Sequence, residues 1–379
     1  MKNPESLYIH IPFCAQKCAY CDFVSFTCDK GFRQVYMETL CKELELVGKD
    51  YDRPQLKTIF IGGGTPSLLR VNEIQRLGAC LQSNFNLDVL DEFTIESNPG
   101  TVELESLKCW RSIGVNRVSM GVQSMNDDLL KKLGRIHTAQ EAKESFDIIR
   151  KSGITNINLD LMFGLPDQTL EDLKETLDEV LSLSPDHISA YSLKIEEDTP
   201  FEKMLDKKEL RLPSEEEDRA MYHFLINRLK QAGFQQYEIS NFARPDKACR
   251  HNLVYWKGAP YFAAGLAAHG YVNNCREGNY ADFEAYRKAV EAGKKPVETR
   301  EFITEEEAAF EYIMLGLRLS QGVDLKAFEK RFSYKMQDKF QDVIKTQVDK
   351  GLVTLKDDHL TLTSYGLDVS NQVMADYLD

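Results

Sequence analysis

The chain has 379 residues, of which 42% are hydrophobic and 28% charged, and its net charge is −13 at neutral pH. This composition is typical of globular proteins with sizeable cores and excludes a mainly disordered chain. The acidic charge argues against general nucleic-acid binding, which depends on clustered Lys and Arg. No run reaches the roughly 18 apolar residues of a membrane span, and the length predicts two or three domains.

Cysteine content and the first residues predict a reducing compartment. The chain contains nine cysteines, an odd number, and it begins MKNPESLY, without the basic and apolar regions of a secretory signal. We therefore expect a cytoplasmic protein with free thiols.

The first half of the chain alternates β-branched runs with amphipathic helical stretches, which is typical of βα units around a parallel sheet. Thr138 and Glu141 form a capping box that opens a helix ending near Gly153, and a second helix is predicted at Thr169–Ser182. The predicted strands are Leu7–Ile11, Thr58–Ile61, Glu92–Ser97, Asn116–Gly121, Asn156–Met162 and His187–Leu193. Six repeats predict an α/β fold with an incomplete barrel, whose functional residues lie at the carboxyl ends of the strands.

The second half is predicted to be mixed at first and then mainly helical. Ser214 with Glu217 opens a helix, and a strand follows at Phe234–Ile239. From Thr304 the chain is predicted to be helical to about Lys350, followed by a small hairpin and a last helix, which resembles a winged-helix module. The acidic charge favours a protein contact for this module. We expect three domains, at residues 1–200, 201–300 and 301–379.

Three cysteines follow the first strand at the spacing C-x3-C-x2-C. Cys14, Cys18 and Cys21 could hold one metal centre, because thiolates are preferred ligands of zinc and of iron–sulfur clusters. A structural zinc site would take a fourth protein ligand, for which Cys28 or His10 is available, whereas a reactive site leaves one position open. The spacing alone leaves both alternatives open.

Polar residues recur where the predicted strands end. The run Gly62 to Pro66 follows the second strand and would let backbone groups approach a ligand closely, although it is neither a P-loop nor a dinucleotide fingerprint. The later strands end at or carry Glu96, Gln123 and Asp160, with Arg135 between the last two. Together these residues predict the lining of a shared pocket.

The segment CRHNLVYW combines an imidazole with aromatic rings. On a helix, His251 and Tyr255 would share one face at the spacing i, i+4 and could grip a flat ligand. Imidazole is a known axial ligand of heme iron. The alternative, a hydrogen-bonded core histidine beside packed aromatic rings, is equally compatible with the residues.

Seven segments resemble one known family: LYIHIPFC, CAYCDF, GGGTPS, MGVQS, DLMFGLP, CRHNLVYW and GLAAHG. They are similar to the radical S-adenosylmethionine (SAM) family, in the branch of oxygen-independent coproporphyrinogen III oxidases and heme chaperones. The resemblance implies that Cys14, Cys18 and Cys21 bind three irons of a 4Fe-4S cluster and that SAM binds the fourth. The implied SAM contacts are Tyr8, Gly63, Gly64, Thr65, Glu96, Gln123, Arg135 and Asp160.

Two features of the resemblance favour a heme chaperone over an oxidase. Phe23 stands where the oxidases have a further cysteine, and their N-terminal extension is not expected here. His251, Asn252, Tyr255 and Trp256 match the HNxxYW heme motif of the chaperones. The resemblance then implies heme binding and delivery to respiratory heme proteins, with His251 as the first candidate for the axial ligand.

Several alternatives remain at this point. Cys249 and His269 are the other candidates for the axial heme ligand. An oxygen-independent coproporphyrinogen III oxidase and a structural zinc protein are the competing functions. SAM cleavage, a homodimer and a peripheral association with membranes through partner proteins are left open, and nucleic acid is not expected as a partner.

Overall fold

Six parallel strands form the centre of the protein, as the sequence predicts. The computed structural model describes residues 3–27 and 29–378. The strands are β1 (Ser6–Ile11), β2 (Thr58–Gly63), β3 (Glu92–Ser97), β4 (Arg117–Gln123), β5 (Asn156–Phe163) and β6 (His187–Ser192). Each pairs in parallel with the next along the chain. The helices between them are α1 (Lys30–Asp50), α2 (Val71–Asn84), α3 (Leu104–Ser112), α4 (Asp127–Lys132), α5 (Ala139–Lys151) and α6 (Leu170–Ser182).

The strands separate an apolar face from a polar one. In β1, Leu7, Ile9 and Ile11 are fully buried in the main hydrophobic core, which also contains the inner faces of the helices. The alternate side chains of successive strands, such as Glu96 in β3 and Asp160 in β5, belong to the opposite face. A polar concave face is therefore available for ligand binding along the inside of the sheet.

Helix ends follow the capping signals in the sequence. The Thr138 hydroxyl accepts a hydrogen bond from the Glu141 amide at 3.2 Å, and the Glu141 carboxylate accepts one from the Thr138 amide at 2.8 Å. This reciprocal pair opens α5, and Gly153 follows the helix with φ +90°. The predicted start and end of this helix are confirmed. They could be predicted because the signals at both ends depend only on neighbouring residues.

Residues 201–300 add strands to both edges of the central sheet. The elements of this part are α7 (Pro200–Asp206), α8 (Glu215–Gln231), β7 (Gln235–Glu238), β8 (Asn241–Ala243), α9 (Arg250–Trp256), β9 (Phe262–Ala264), β10 (His269–Val272), β11 (Cys275–Asn279), α10 (Phe283–Glu291) and β12 (Val297–Phe302). The nine strands follow the order β7-β8-β6-β5-β4-β3-β2-β1-β9, while β10, β11 and β12 form a small antiparallel sheet. This segment shares the main core, so the predicted boundary near residue 200 does not separate two cores.

The C-terminal part has its own hydrophobic core. It consists of α11 (Glu305–Arg318), β13 (Val323–Asp324), α12 (Leu325–Phe332), α13 (Met336–Lys339), α14 (Gln341–Asp349), β14 (Val353–Lys356), β15 (His359–Leu362), α15 (Ser364–Asp368) and α16 (Ser370–Ala375). The predicted hairpin is present as β14 and β15. Continuous helix from Thr304 to Lys350 is wrong, because Gly322 adopts φ +72° and β13 then pairs with β15.

Within residues 3–27 and 29–378, no helix combines the length and apolar character required to cross a bilayer.

Candidate cofactor site

A cavity of about 430 Å³ opens at the carboxyl ends of the parallel strands. All three motif cysteines line it, together with most of the residues expected to contact SAM: Gly63, Gly64, Thr65, Glu96, Gln123, Arg135 and Asp160. Its size is within the range of small-molecule sites. The residues that the sequence analysis grouped are thus brought to one place by the parallel topology.

The cysteine loop is held to the barrel by backbone hydrogen bonds. The Cys14 amide donates to the Phe26 carbonyl at 3.1 Å, and the Phe26 amide donates to the Pro12 carbonyl at 2.9 Å. Further along, the Ala19 amide donates to the Leu133 carbonyl at 3.0 Å. These contacts fix both arms of the loop, so the thiols are presented to the cavity by an ordered backbone.

His10, one of the two candidate fourth ligands for zinc, is engaged in other hydrogen bonds. His10 has Nε2 2.9 Å from the Val24 carbonyl and Nδ1 3.0 Å from the Tyr8 hydroxyl, so both ring nitrogens are engaged. Cys28 lies outside the residues that the structure describes. The described part of the loop therefore presents three thiols to the cavity without engaging His10.

Among the described residues, Thr65 and Arg135 donate hydrogen bonds to motif sulfurs, and the Tyr20 hydroxyl is hydrogen-bonded to Cys18 as well. The Thr65 hydroxyl lies 3.6 Å from Cys14 Sγ, and Arg135 Nη1 lies 3.6 Å from Cys18 Sγ. Such donors stabilise negative charge on sulfur and suit thiolates bound to an iron–sulfur cluster. The Arg135 guanidinium also has a buried Nε without a partner among the described residues. The hydrogen-bond donors to Cys14 and Cys18 therefore fit an iron–sulfur cluster. The unpartnered Arg135 Nε is a donor for a further ligand beside the cluster.

Two carboxyl groups, those of Glu96 and Asp160, lie inside the cavity with the buried Arg117 guanidinium as a nearby cation. Glu96 Oε2 accepts a hydrogen bond from the Gly63 amide at 3.0 Å, and Asp160 Oδ2 accepts one from the Ser119 hydroxyl at 3.1 Å. Burial raises the pKa of Glu96 to about 8, and the negative charge of Asp160 adds to this. Burial also raises the pKa of Asp160. A ligand with ammonium and sulfonium charges, such as SAM, would favour the ionised carboxylates.

Two residues at strand ends, Gly64 and Gln123, have backbones with special requirements: the first lies very close to another backbone, and the second has a positive φ. A Cβ at Gly64 would lie 2.7 Å from the Phe13 carbonyl oxygen, so this position fits only glycine without a backbone shift. Gln123 has φ +70° where the register between β4 and β5 shifts. Bulges and positive φ values at non-glycine residues re-aim side chains near functional sites, and Gln123 lines the cavity.

Tyr8 occupies a deeper position than the other predicted SAM contacts. It lies two residues before His10 in β1, and its hydroxyl is directed to the His10 ring. The lining formed by the described residues does not include it. Its contact with SAM stays a prediction.

The HNLVYW segment lies at the other end of the strands. It forms α9, whose first amides, those of Arg250 and His251, donate to the Glu92 carboxylate at 2.9 and 3.0 Å. His251 Nδ1 is 2.8 Å from the Thr58 hydroxyl, and Nε2 is 2.9 Å from the Tyr255 hydroxyl. Thr58 and Glu92 are the first residues of β2 and β3. The helix therefore packs on the amino-terminal ends of β2 and β3, at the end of the sheet opposite the cysteine loop.

This arrangement favours the alternative for His251, a hydrogen-bonded core histidine, and its role as axial heme ligand stays a prediction. The side chain is fully buried, and burial lowers its pKa to about 3, so the ring is neutral. Both ring nitrogens are in hydrogen bonds in this structure, beside packed aromatic rings. Cys249 is also fully buried, with Sγ donating to Glu92 at 3.3 Å. Of the three candidates, only His269 is exposed.

The remaining motif residues connect α9 to its surroundings. The Trp256 ring packs under the Arg318 guanidinium of α11 at 4.5 Å, and Tyr255 packs edge-on against Tyr261. Asn252 is partly buried in the middle of the helix. Asn252, Tyr255 and Trp256 thus lie in the wall that joins the central sheet to the C-terminal part.

Several residues of the cavity were not predicted from the sequence. Asn98 bridges Thr65 and Arg135 by hydrogen bonds of 2.9 and 2.7 Å, and Tyr191 and Lys194 lie at the cavity as well. The signal for Asn98 was its position directly after β3, in the run IESNPG, which is where polar residues of the other strands were already noted.

Known proteins resemble this chain along its whole length. The family model of the radical SAM superfamily matches residues 8–180, and the model of the HemN C-terminal domain matches residues 303–369. Heme chaperone HemW of Bacillus subtilis is 37% identical, over 99% of both chains. Heme chaperone HemW of Escherichia coli is 43% identical over 71% of this chain and 70% of its own length.

One solved structure gives the same architecture for nearly the complete chain. Coproporphyrinogen III oxidase (HemN) from Escherichia coli matches with a TM-score of 0.85 and 24% identity, covering 99% of this chain and 90% of that one. This similarity concerns the fold alone. The family follows from the full-length identity to the curated relatives. The chain belongs to the HemW family of heme chaperones within the radical SAM superfamily.

Proposed function

We propose that this chain is a heme chaperone that binds a 4Fe-4S cluster, SAM and heme, and delivers heme to heme-dependent respiratory proteins. The main support is sequence identity over 99% of the chain to a relative named heme chaperone HemW. In addition, the three motif cysteines line one cavity. Family membership implies the cluster and SAM. When bound, these groups supply one-electron chemistry, while the protein supplies binding and orientation.

The cavity residues have distinct proposed roles in cofactor binding. Cys14, Cys18 and Cys21 would each hold one iron, and the Gly63 to Thr65 run would approach the amino-acid end of SAM. Glu96 and Asp160 would accept hydrogen bonds from its amino or hydroxyl groups, as ionised carboxylates are acceptors. Gln123 and Arg135 complete the wall beside them.

For the axial heme ligand we propose His269. It is exposed, and its Nδ1 lies 3.0 Å from the Ala267 carbonyl oxygen. Metal-bound histidines commonly donate one ring N–H to such an oxygen, which fixes the tautomer and leaves the other nitrogen for the metal. His359 makes the same contact with the carbonyl two residues earlier, at 2.9 Å, and serves as a matched control.

The proposal is tested with anaerobically reconstituted full-length protein. We expect stoichiometric iron and sulfide, a Soret band on heme titration, and transfer of that heme to the apo form of a respiratory heme protein. His269→Ala should weaken or shift the Soret band, while His359→Ala should leave it unchanged. Equal spectra for the wild type and both variants would remove His269 from the proposal, and failure of heme transfer would remove the chaperone function.

The alternative is an oxygen-independent coproporphyrinogen III oxidase, which the fold of HemN favours. Incubation with coproporphyrinogen III, SAM and a reductant distinguishes the two, since formation of protoporphyrinogen would contradict the chaperone proposal. Elemental analysis separates both from a zinc protein, which would contain zinc without iron or sulfide.

A further inference from the structure

The Asn98 side chain connects the hydrogen-bond donors of two motif cysteines. Its Nδ2 donates to the Thr65 hydroxyl at 2.9 Å, and its Oδ1 accepts from Arg135 Nη2 at 2.7 Å. Thr65 in turn reaches Cys14 Sγ, and Arg135 Nη1 reaches Cys18 Sγ, both at 3.6 Å. Four hydrogen bonds therefore join the two sulfurs through a single amide.

The direction of each hydrogen bond in this chain follows from the chemistry of its members. A guanidinium has only donors, so the oxygen of the Asn98 amide must face Arg135 and its NH2 group must face Thr65. The Thr65 oxygen then accepts from Asn98, and its own hydrogen is free for Cys14 Sγ. The orientation of one amide thus directs a donor onto each sulfur.

Asn98 is well placed to hold this orientation because its own backbone is anchored. Its amide donates to the Ser67 hydroxyl at 3.3 Å, and its carbonyl accepts from the Thr101 hydroxyl at 2.6 Å. Pro99 follows it and restricts the backbone of the preceding residue. The side chain therefore projects from a rigid turn directly after β3.

We propose that Asn98 is a positioning residue that directs the Thr65 hydroxyl onto Cys14 and the Arg135 guanidinium onto Cys18, and thereby raises the reduction potential of the cluster. This inference rests on the proposed cluster. Reduction adds negative charge to the cluster and its sulfurs, so hydrogen-bond donors to sulfur favour the reduced state. Outer contacts of this kind tune metal centres without touching the metal.

The substitutions Asn98→Asp and Asn98→Ala separate orientation from simple loss of the side chain. Aspartate keeps an acceptor for Arg135 but replaces the NH2 group with an oxygen, so the Thr65 hydroxyl turns to the carboxylate and Cys14 loses its donor. Alanine leaves the Thr65 hydroxyl free to donate to Cys14, but it removes one of the two oxygens, Asn98 Oδ1 and the Gly121 carbonyl, that hold Arg135 Nη2, so the Arg135 donor to Cys18 is less well positioned. We expect the midpoint potential to shift to more negative values in both variants, and further in Asn98→Asp.

The measurement is an anaerobic redox titration of the reconstituted full-length chain, followed by electron paramagnetic resonance of the reduced cluster. Gln123→Glu is the control for charge, because it places a carboxylate on the same cavity wall. Thr65→Val tests whether Asn98 acts on Cys14 through the Thr65 hydroxyl, because this substitution removes that hydroxyl. The change in midpoint potential caused by Asn98→Asp should be larger than the change caused by Gln123→Glu. It should become smaller when Asn98→Asp is made in a chain that already carries Thr65→Val.

Two kinds of failure can be told apart. If iron and sulfide are present in all variants but Asn98→Asp shifts the potential no further than Asn98→Ala or Gln123→Glu, the inference is overturned and the proposed function stands. If the wild-type chain holds no iron and sulfide after reconstitution, the proposed cluster function and this inference fall together.

Discussion

Replacing His251 with alanine should destabilise the fold and leave heme binding intact. The imidazole bridges the Thr58 and Tyr255 hydroxyls at 2.8 and 2.9 Å and packs against the Phe60 ring, with centroids 5.4 Å apart. The side chain has no exposed surface. The substitution therefore removes two hydrogen bonds and leaves a cavity beside the amino-terminal ends of β2 and β3.

The size of the effect follows from these contacts. Two lost hydrogen bonds cost about 1 kcal/mol each, and a buried ring-sized cavity costs about 2 kcal/mol more. We expect the free energy of unfolding to fall by about 3 to 5 kcal/mol at pH 7. Tyr255→Phe removes only one of the hydrogen bonds, so its expected loss is about 1 kcal/mol.

The pH dependence gives a second, independent signature. Burial lowers the pKa of His251 to about 3, whereas an unfolded histidine has a pKa of about 6.5. Between these values only the unfolded state gains a proton, so stability is fully present above pH 6.5 and is lost as the pH falls. The loss from pH 7 to pH 5 is about 2 kcal/mol, and the alanine variant lacks it. The difference in the free energy of unfolding between the wild type and His251→Ala should therefore be about 2 kcal/mol smaller at pH 5 than at pH 7.

Urea unfolding at pH 7 and pH 5, followed by circular dichroism, measures these differences, and a heme titration of the same preparations records the Soret band. If His251→Ala keeps the wild-type stability at both pH values and loses the Soret band, the imidazole is a heme ligand in solution. That result would refute the assignment of His251 as a buried core histidine.

Three further predictions concern the cavity and the core. Cys18→Ala should lose iron, sulfide and visible absorption after reconstitution, because one of three thiolate ligands is missing; full iron content would contradict the cluster assignment. Gly64→Ala should weaken SAM binding by roughly tenfold, about 1.4 kcal/mol by calorimetry, because its Cβ meets the Phe13 carbonyl; unchanged affinity would place SAM elsewhere. Burial raises the pKa of Glu43 to about 7, above its unfolded value, so its stabilising contribution is present below about pH 4 and is lost as the pH rises through 7. In urea unfolding, the stability of the wild type relative to Glu43→Gln should therefore fall by roughly 3 kcal/mol between pH 4 and pH 8. The same pH dependence of stability in both proteins would contradict this prediction.

The parallel sheet and the cavity lining could be predicted because their signals are local. β-branched runs such as Thr58–Ile61 need no distant partner to be recognised, and Thr138 with Glu141 caps α5 by itself. Once the strands are parallel, their carboxyl ends must share one edge, so Glu96 and Asp160 could be placed together from the sequence.

The position of the HNLVYW helix could not be predicted in the same way. His251 depends on Thr58 and Glu92, which lie in distant strands, and the helical spacing to Tyr255 fits a ligand site and a packed core equally well. Asn98 escaped notice for a related reason, since its importance lies in joining Thr65 to Arg135 from two other loops. Such roles arise from tertiary contacts rather than from residue type.

The pairing of β1 with β9 has a consequence for how the chain reaches its native state. β1 is made first, but the strand that covers its outer edge, Phe262–Ala264, is made only after the other five parallel strands are complete. An uncovered strand edge is a template for aggregation, and long-range parallel pairing is slow. A fragment truncated at residue 200 would keep that edge open permanently. The ribosome must therefore deliver most of the chain before the strand that leads into the cysteine loop is protected.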